Sequence, residues 1–95
     1  MTDTQKTRCR KIAEHYGESA QLSILQEECA ELIQAVSKIR RCVPNAYDNY
    51  IDEIADVSIM IEQMISFMDN EDKNALYQKI NEKLERQLDR IAKGE

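Results

Sequence analysis

The sequence predicts an all-α protein, and three observations carry that reading. Apolar residues recur at three- and four-residue intervals over most of the chain; helix breakers are confined to Gly17, Pro44 and Gly94; and alternating, β-branched strand patterns are nearly absent. At 95 residues the chain forms one domain, 1–95, whose expected architecture is an antiparallel four-helix bundle-like subunit. So small a domain buries a modest share of its surface, and assembly as a dimer or tetramer is the natural way to gain stability.

The first helix is expected over about 4–16, where Cys9, Ile12, Ala13 and Tyr16 share a face among Lys6, Arg8, Arg10 and Lys11. Gly17 breaks it, and Ser19 is a candidate N-cap for the next. His15, the only histidine, sits beside that break and reads as plain surface. The second helix is expected over about 20–41, with Leu22, Leu25, Cys29, Leu32, Val36 and Ile39 as its seam. A second line, Ile24, Glu28, Glu31 and Ala35, lies about a quarter turn away and borders that core. Arg40 and Arg41 suit a helix C-terminus, Pro44 ends the ladder, and Asn45 with Asp48 resembles a capping pair.

The third helix is expected over about 46–68. Its broad apolar face holds Tyr47, Tyr50, Ile51, Ile54, Val57, Ile61, Met64, Ile65 and Met68, and its flank holds Asn49, Glu53, Asp56, Met60 and Phe67. The short connection makes helices two and three antiparallel neighbours, which can bring their two acidic flanks face to face. Methionine and phenylalanine at such positions are more often core than a nucleobase pocket. The fourth helix is expected over about 71–92, opened by Glu71 and Asp72, which favour the macrodipole, and stopped by Gly94. Leu76, Ile80, Leu84, Leu88 and Ile91 form its apolar side. Lys79, Lys83, Arg86 and Arg90 form a basic row, for which pairs such as Glu82 with Arg86, worth about 0.2–0.5 kcal/mol each, are a sufficient structural reason.

Composition narrows the function. A net charge of -5 argues against a nucleic-acid binder, which needs a basic surplus. Cys9, Cys29 and Cys42 show no metal-ligand spacing, and their odd number leaves one unpaired, which suits a reducing compartment. No apolar run is long enough to cross a bilayer, and the polar start, Met1 to Lys11, lacks a signal-peptide core, so a cytoplasmic location with no membrane association is expected. Glycine-rich phosphate loops and nucleophile–histidine arrangements are missing.

What remains is the carboxylates. Glu28 with Glu31, and Glu53 with Asp56, are each three residues apart on one helical face. Either pair alone is ordinary surface decoration. Two pairs bordering the core of adjacent helices repel one another and raise their own pKa values unless a cation is present. Oxygen donors around an open side suit Mg²⁺, with Mn²⁺ as a substitute. A di-iron bundle would require Glu-x-x-His, which neither segment contains.

Glu28-Cys29-Ala30-Glu31 followed by Glu53-Ile54-Ala55-Asp56 resembles the E-x-x-E and E-x-x-D signature of the MazG-like, all-α nucleoside triphosphate pyrophosphohydrolases. Their surroundings, Gln26 to Leu32 and Asp52 to Val57, are similar to that family's motif neighbourhoods, and Lys83-Leu84-Glu85-Arg86 resembles a later K-x-x-R element. The likeness spans about Tyr16 to Ile91. Asp52 stands where the family commonly has glutamate, and no tryptophan is present. The resemblance implies Mg²⁺-dependent cleavage of a nucleoside triphosphate between its α and β phosphates, giving a monophosphate and pyrophosphate. It implies metal ligation by Glu28, Glu31, Glu53 and Asp56, a water-orienting catalytic role for Glu27, and neutralisation of the departing pyrophosphate by Lys83 and Arg86. It also implies a homodimer or homotetramer whose neighbouring subunits complete each pocket. A relative acting on dUTP or phosphoribosyl-ATP is the first alternative; a non-catalytic helical dimerisation or adaptor module is the second.

Overall fold

The computed structural model describes residues 1–95, and four helices make up the fold: α1 (Asp3–Tyr16), α2 (Glu18–Arg40), α3 (Ala46–Ile65) and α4 (Asn70–Ala92). None of them is long and apolar enough to cross a membrane.

Local chemistry sets the boundaries. α1 opens on a capping box in which the Gln5 amide N–H donates to the Thr2 hydroxyl at 3.1 Å and the Thr2 N–H donates to the Gln5 side-chain oxygen at 2.8 Å. Gly17 alone separates α1 from α2, at φ 86° and ψ 159°, a conformation essentially reserved for glycine. Ser19 therefore lies inside α2 and is not its cap. At the other end of α2 the Val43 N–H reaches the Lys38 carbonyl and the Cys42 N–H the Ile39 carbonyl, each at 3.0 Å. This is a Schellman closure with Cys42, at φ 57°, in the place glycine usually takes. Asn45 also adopts the left-handed conformation, at φ 61°, and its side chain makes no capping bond, so the expected pairing with Asp48 does not form.

α3 ends at Ile65, three residues short of the expected Met68. The Ser66 hydroxyl donates back to the Gln63 carbonyl, and the N–H groups of Phe67 and Met68 turn to carbonyls three residues behind, which tightens the chain out of the α conformation. Asp69 then caps α4 by accepting from the Asp72 N–H at 2.8 Å. Gly94 and Glu95 close α4 with the same Schellman pair of bonds, to Ile91 and Arg90. Glu82 accepts from the Gln78 amide at 3.2 Å, four residues before it.

α2 and α3 pack most extensively on each other, with α1 lying mainly against α3. Ala13, Ala35 and Ala46 are buried where these helices meet, together with Cys9 and Met60. α4 leaves the other three after its first two turns: Lys73 and Leu76 are half-buried, and every residue from Tyr77 onward is exposed. The radius of gyration, 16.3 Å, exceeds the roughly 12 Å of a compact domain of this length because of that projection.

The interior is not the stripe that hydropathy marks. On α2 the least exposed line is Gln21, Leu25, Glu28, Leu32, Ala35 and Ile39, while Leu22, Cys29 and Val36 of the expected seam are exposed. On α3 it is Ala46, Tyr50, Glu53, Val57, Met60 and Gln63, while Tyr47, Ile51, Ile54 and Ile61 of the expected face are exposed. Both helices are turned toward their acidic flanks, by roughly 50–80° at about 100° per residue. Of Glu28 and Glu31, both expected to border the core, Glu28 is half-buried and Glu31 is exposed; Glu53 on α3 is half-buried.

Candidate functional site

That rotation builds the site. Glu28 stands one turn beyond Leu25 on the inner line of α2, and Glu53 occupies the equivalent inner position on α3, with Asp56 a turn further along. Glu28, Glu53 and Asp56 each offer a carboxylate oxygen, and these oxygens all lie within 4.8 Å of one another; Glu28 and Glu53 are half-buried and Asp56 is exposed. Three ligands of one octahedral Mg²⁺ ion cannot all stand opposite one another; adjacent ones lie about 3 Å apart at the usual bond length of about 2.1 Å, so the three carboxylates would have to draw together to share an ion.

The electrostatics show a site short of positive charge. Loss of water in the seam raises the Glu28 pKa above the ordinary glutamate value, and the neighbouring carboxylates of Asp56, Glu31 and Glu53 raise it further. Glu53 is raised in the same way, first by desolvation and then by Glu31 and Asp56, with Glu31 and Glu53 able to share a hydrogen bond. Every charged group acting on either carboxyl is another acid. One oxygen of each, Oε2 of Glu28 and Oε2 of Glu53, is secluded from solvent without a hydrogen-bond partner. Secluded carboxylate oxygens facing only other carboxylates fit a divalent cation, whose charge relieves the repulsion and whose coordination satisfies the free oxygens.

The other sequence-predicted residues are placed as follows. Glu31 lies on the rim, exposed, and reaches the centre through Glu53. Glu27 is exposed on the outer side of α2, next to Glu28 in sequence but outside the cluster. Lys83 and Arg86 are on the exposed, projecting part of α4, which does not pack along α2 or α3, so within one chain they are not brought to the carboxylates.

Two residues escaped sequence reasoning. Gln21 and Gln63 are buried in the same α2–α3 interior, 4% and 2% exposed. Their signal was in the spacing: Gln21 precedes Glu28 by seven residues and Gln63 follows Glu53 by ten, which keeps each on its helix's acid-bearing side. Compared with protein-family models, with curated proteins and with solved structures, the chain finds no match.

Proposed function

We propose that this chain is a divalent-metal-dependent nucleoside triphosphate pyrophosphohydrolase of the MazG-like all-α kind, cleaving the α,β phosphoanhydride to a monophosphate and pyrophosphate. The observation that carries the reading is the meeting of Glu28, Glu53 and Asp56 across α2 and α3, with secluded oxygens that nothing else in the chain satisfies.

In this reading Glu28, Glu53 and Asp56 hold Mg²⁺, or Mn²⁺ in its place. An ion held there would supply positive charge to the phosphates and would ease the loss of a proton from the attacking water. Glu31 stands on the rim of the cluster, where its charge acts on the Glu53 carboxyl. Glu27, on the solvent side beside the cluster, is the candidate to accept a proton from the attacking water. Hydrolysis forms a bond from the water oxygen to one phosphorus of the α–β bridge, breaks the bridging P–O bond and releases the monophosphate and pyrophosphate, whose charge needs cations.

Lys83 and Arg86 supply those cations from a neighbouring copy. The support is the exposed apolar side of α4, with Leu84, Leu88 and Ile91 at 55%, 64% and 70% exposure, together with the outer faces of α2 and α3, where Ile33 and Ile51 are open to solvent. Apolar faces of that extent call for a partner, and a homodimer or homotetramer with antiparallel helices would cover them while bringing the basic row of α4 to another subunit's carboxylates. The same faces are what favour the second reading, a non-catalytic dimerisation or adaptor module.

One experiment separates the two. Purified protein is incubated with a panel of NTPs and dNTPs in Mg²⁺ or EDTA, and pyrophosphate is assayed. Metal-dependent release is expected, with a preference among the nucleotides that distinguishes dUTP from the rest, and Glu53→Gln is expected to lower it by about 100-fold or more, the upper end of what even an outer partner of a metal ligand contributes. Release from no nucleotide would leave the adaptor reading.

A further inference from the structure

The first helix is rich in cations, and two of them stand at a place in the fold that the carboxylates do not explain. Lys6 and Arg10, one turn apart on α1, line a cavity of about 220 Å³ together with Lys73 and Tyr77, one turn apart on α4. The end of α3 contributes Glu62 and Ser66. Lys6 and Arg10 are exposed, while Lys73 and Glu62 are half-buried. The cavity lies at the root of α4, where that helix parts from the other three.

The ordinary reasons for cations at such a place are met in other ways. A helix C-terminus attracts them because its last carbonyls are free and its dipole is negative there. At the end of α3, however, the carbonyls of Glu62, Met64 and Ile65 accept from the N–H groups of Ser66, Phe67 and Met68 at 3.1, 3.1 and 3.0 Å, and the Gln63 carbonyl accepts from the Ser66 hydroxyl. These four carbonyls need no lysine. The side-chain hydrogen bonds of the chain leave Lys6, Arg10 and Lys73 without a partner. Against their three positive charges stand Glu62 and a helix dipole worth roughly half a charge, so positive charge is left over in a chain whose net charge is -5. Like charges at i and i+4, as in Lys6 and Arg10, also oppose the helix that carries them.

We propose that this cavity binds a phosphate group, free or as a monoester, between α1 and α4. A phosphate dianion offers two negative charges and at least three oxygens to donors converging from two helices. The Arg10 guanidinium can serve two of those oxygens at once, the Lys6 and Lys73 ammonium groups act as point charges, and the Tyr77 phenol has an O–H to donate. The Ser66 hydroxyl is spent on the Gln63 carbonyl and adds no donor. A carboxylate, with one charge and two oxygens, would leave part of this set unserved. Glu62 follows Glu53 by nine residues on α3, which places it about 14 Å along and half a turn around the helix at 1.5 Å and 100° per residue. The cavity is therefore a second site, and it stands whether or not the carboxylates act on a triphosphate. Its occupant would tie α4 to α1.

The full chain, ¹⁵N-labelled and in EDTA, is titrated at constant ionic strength with inorganic phosphate, with ribose 5-phosphate as the ester, and with chloride. The amide signals of Lys6, Arg10, Lys73 and Tyr77 are followed by NMR. Phosphate or the ester is expected to move signals on both helices along one saturable curve that chloride does not reproduce. Tighter binding of the ester would identify a monoester as the source, and tighter binding of inorganic phosphate the free ion; either supports the site. Arg10→Gln and Lys73→Gln, each folded by circular dichroism, are expected to weaken binding at least about tenfold, the factor one charge-assisted hydrogen bond carries. Lys79→Gln makes the same charge change on an exposed part of α4 away from the cavity and is expected to leave binding nearly unchanged, as is Glu53→Gln. Three results would overturn the proposal. Shifts that chloride matches would report ionic strength alone; shifts that need added Mg²⁺, or that Glu53→Gln abolishes, would place the anion at the carboxylates; and an equal loss in Lys79→Gln and Lys73→Gln would mean diffuse charge without a site.

Discussion

If Glu28, Glu53 and Asp56 are mutually repelling ligands, then removing one of them should make the metal-free fold more stable, the opposite of what loss of a packing residue does. Glu53→Gln deletes a charge whose neighbours are Glu31 and Asp56 and keeps the side-chain volume. In EDTA the variant should therefore melt above the unmodified protein. Adding Mg²⁺ should reverse the order. At ten times its Kd, an ion that binds only the folded state stabilises by about 1.4 kcal/mol, which for a domain of this size is a rise in Tm of roughly 6–11 °C; Glu53→Gln should show little of it. The pH dependence follows from the same charges. Raised carboxyl pKa values mean that the folded state holds protons the unfolded chain has released, so the penalty from Glu28 and Glu53 is absent below the ordinary glutamate range and grows as pH climbs through the raised values. Thermal melts at fixed protein concentration, in EDTA and in Mg²⁺, between pH 5 and 8 read all of this. A Glu53→Gln protein that melts lower in EDTA, or that retains the full Mg²⁺ increment, would refute the account of the cluster.

Two further outcomes are expected. If the proposed oligomer forms through α4, replacing Leu84 and Leu88 together by glutamate should shift it to monomer in light scattering while helicity stays unchanged, because burying each leucine would be worth about 1.5–3 kcal/mol and losing two would weaken association by about 100-fold or more. Cys9, buried and with its thiol pKa raised by desolvation and then by Glu62, should react with a disulfide reagent at least about tenfold more slowly than the exposed Cys29 and Cys42, as counted from the fast and slow phases of the thiol assay.

The number of helices and most of their ends were legible because they depend on short-range chemistry. Gly17, Pro44, Asp69 and Gly94 act within a turn of where they stand, and helical periodicity identifies what lies between them. The facing of α2 and α3 was less legible. Hydropathy ranks Leu22, Val36, Ile51 and Ile61 as interior, yet a single chain leaves them exposed and encloses Gln21, Glu28, Glu53 and Gln63 instead. Periodicity reports that a face is to be covered, not whether the cover comes from the same chain. Two of the most deeply buried positions on the acidic side are alanines, Ala35 and Ala46, which sit there among Leu25, Leu32 and Ile39. The meeting of Glu28 with Glu53 and Asp56 was foreseeable from spacing and a short connection. The burial of Gln21 and Gln63 was not, since an isolated glutamine in a polar-rich helix carries no mark of burial.

Gly17 bears on the open groove of about 460 Å³ between α1, α2 and α3 in a way its lack of a side chain conceals. Tyr16 and Ala20 stand on either side of it, so one wall belongs to α1 and the next to α2, and a single residue joins them. The width of the mouth is consequently governed by one pair of torsion angles. A Cβ at this position would meet no atom within 4 Å, so bulk is not what forbids alanine there; the torsion itself does. The gauge of the opening is written into the shortest connection in the chain, at a torsion that glycine alone takes without cost.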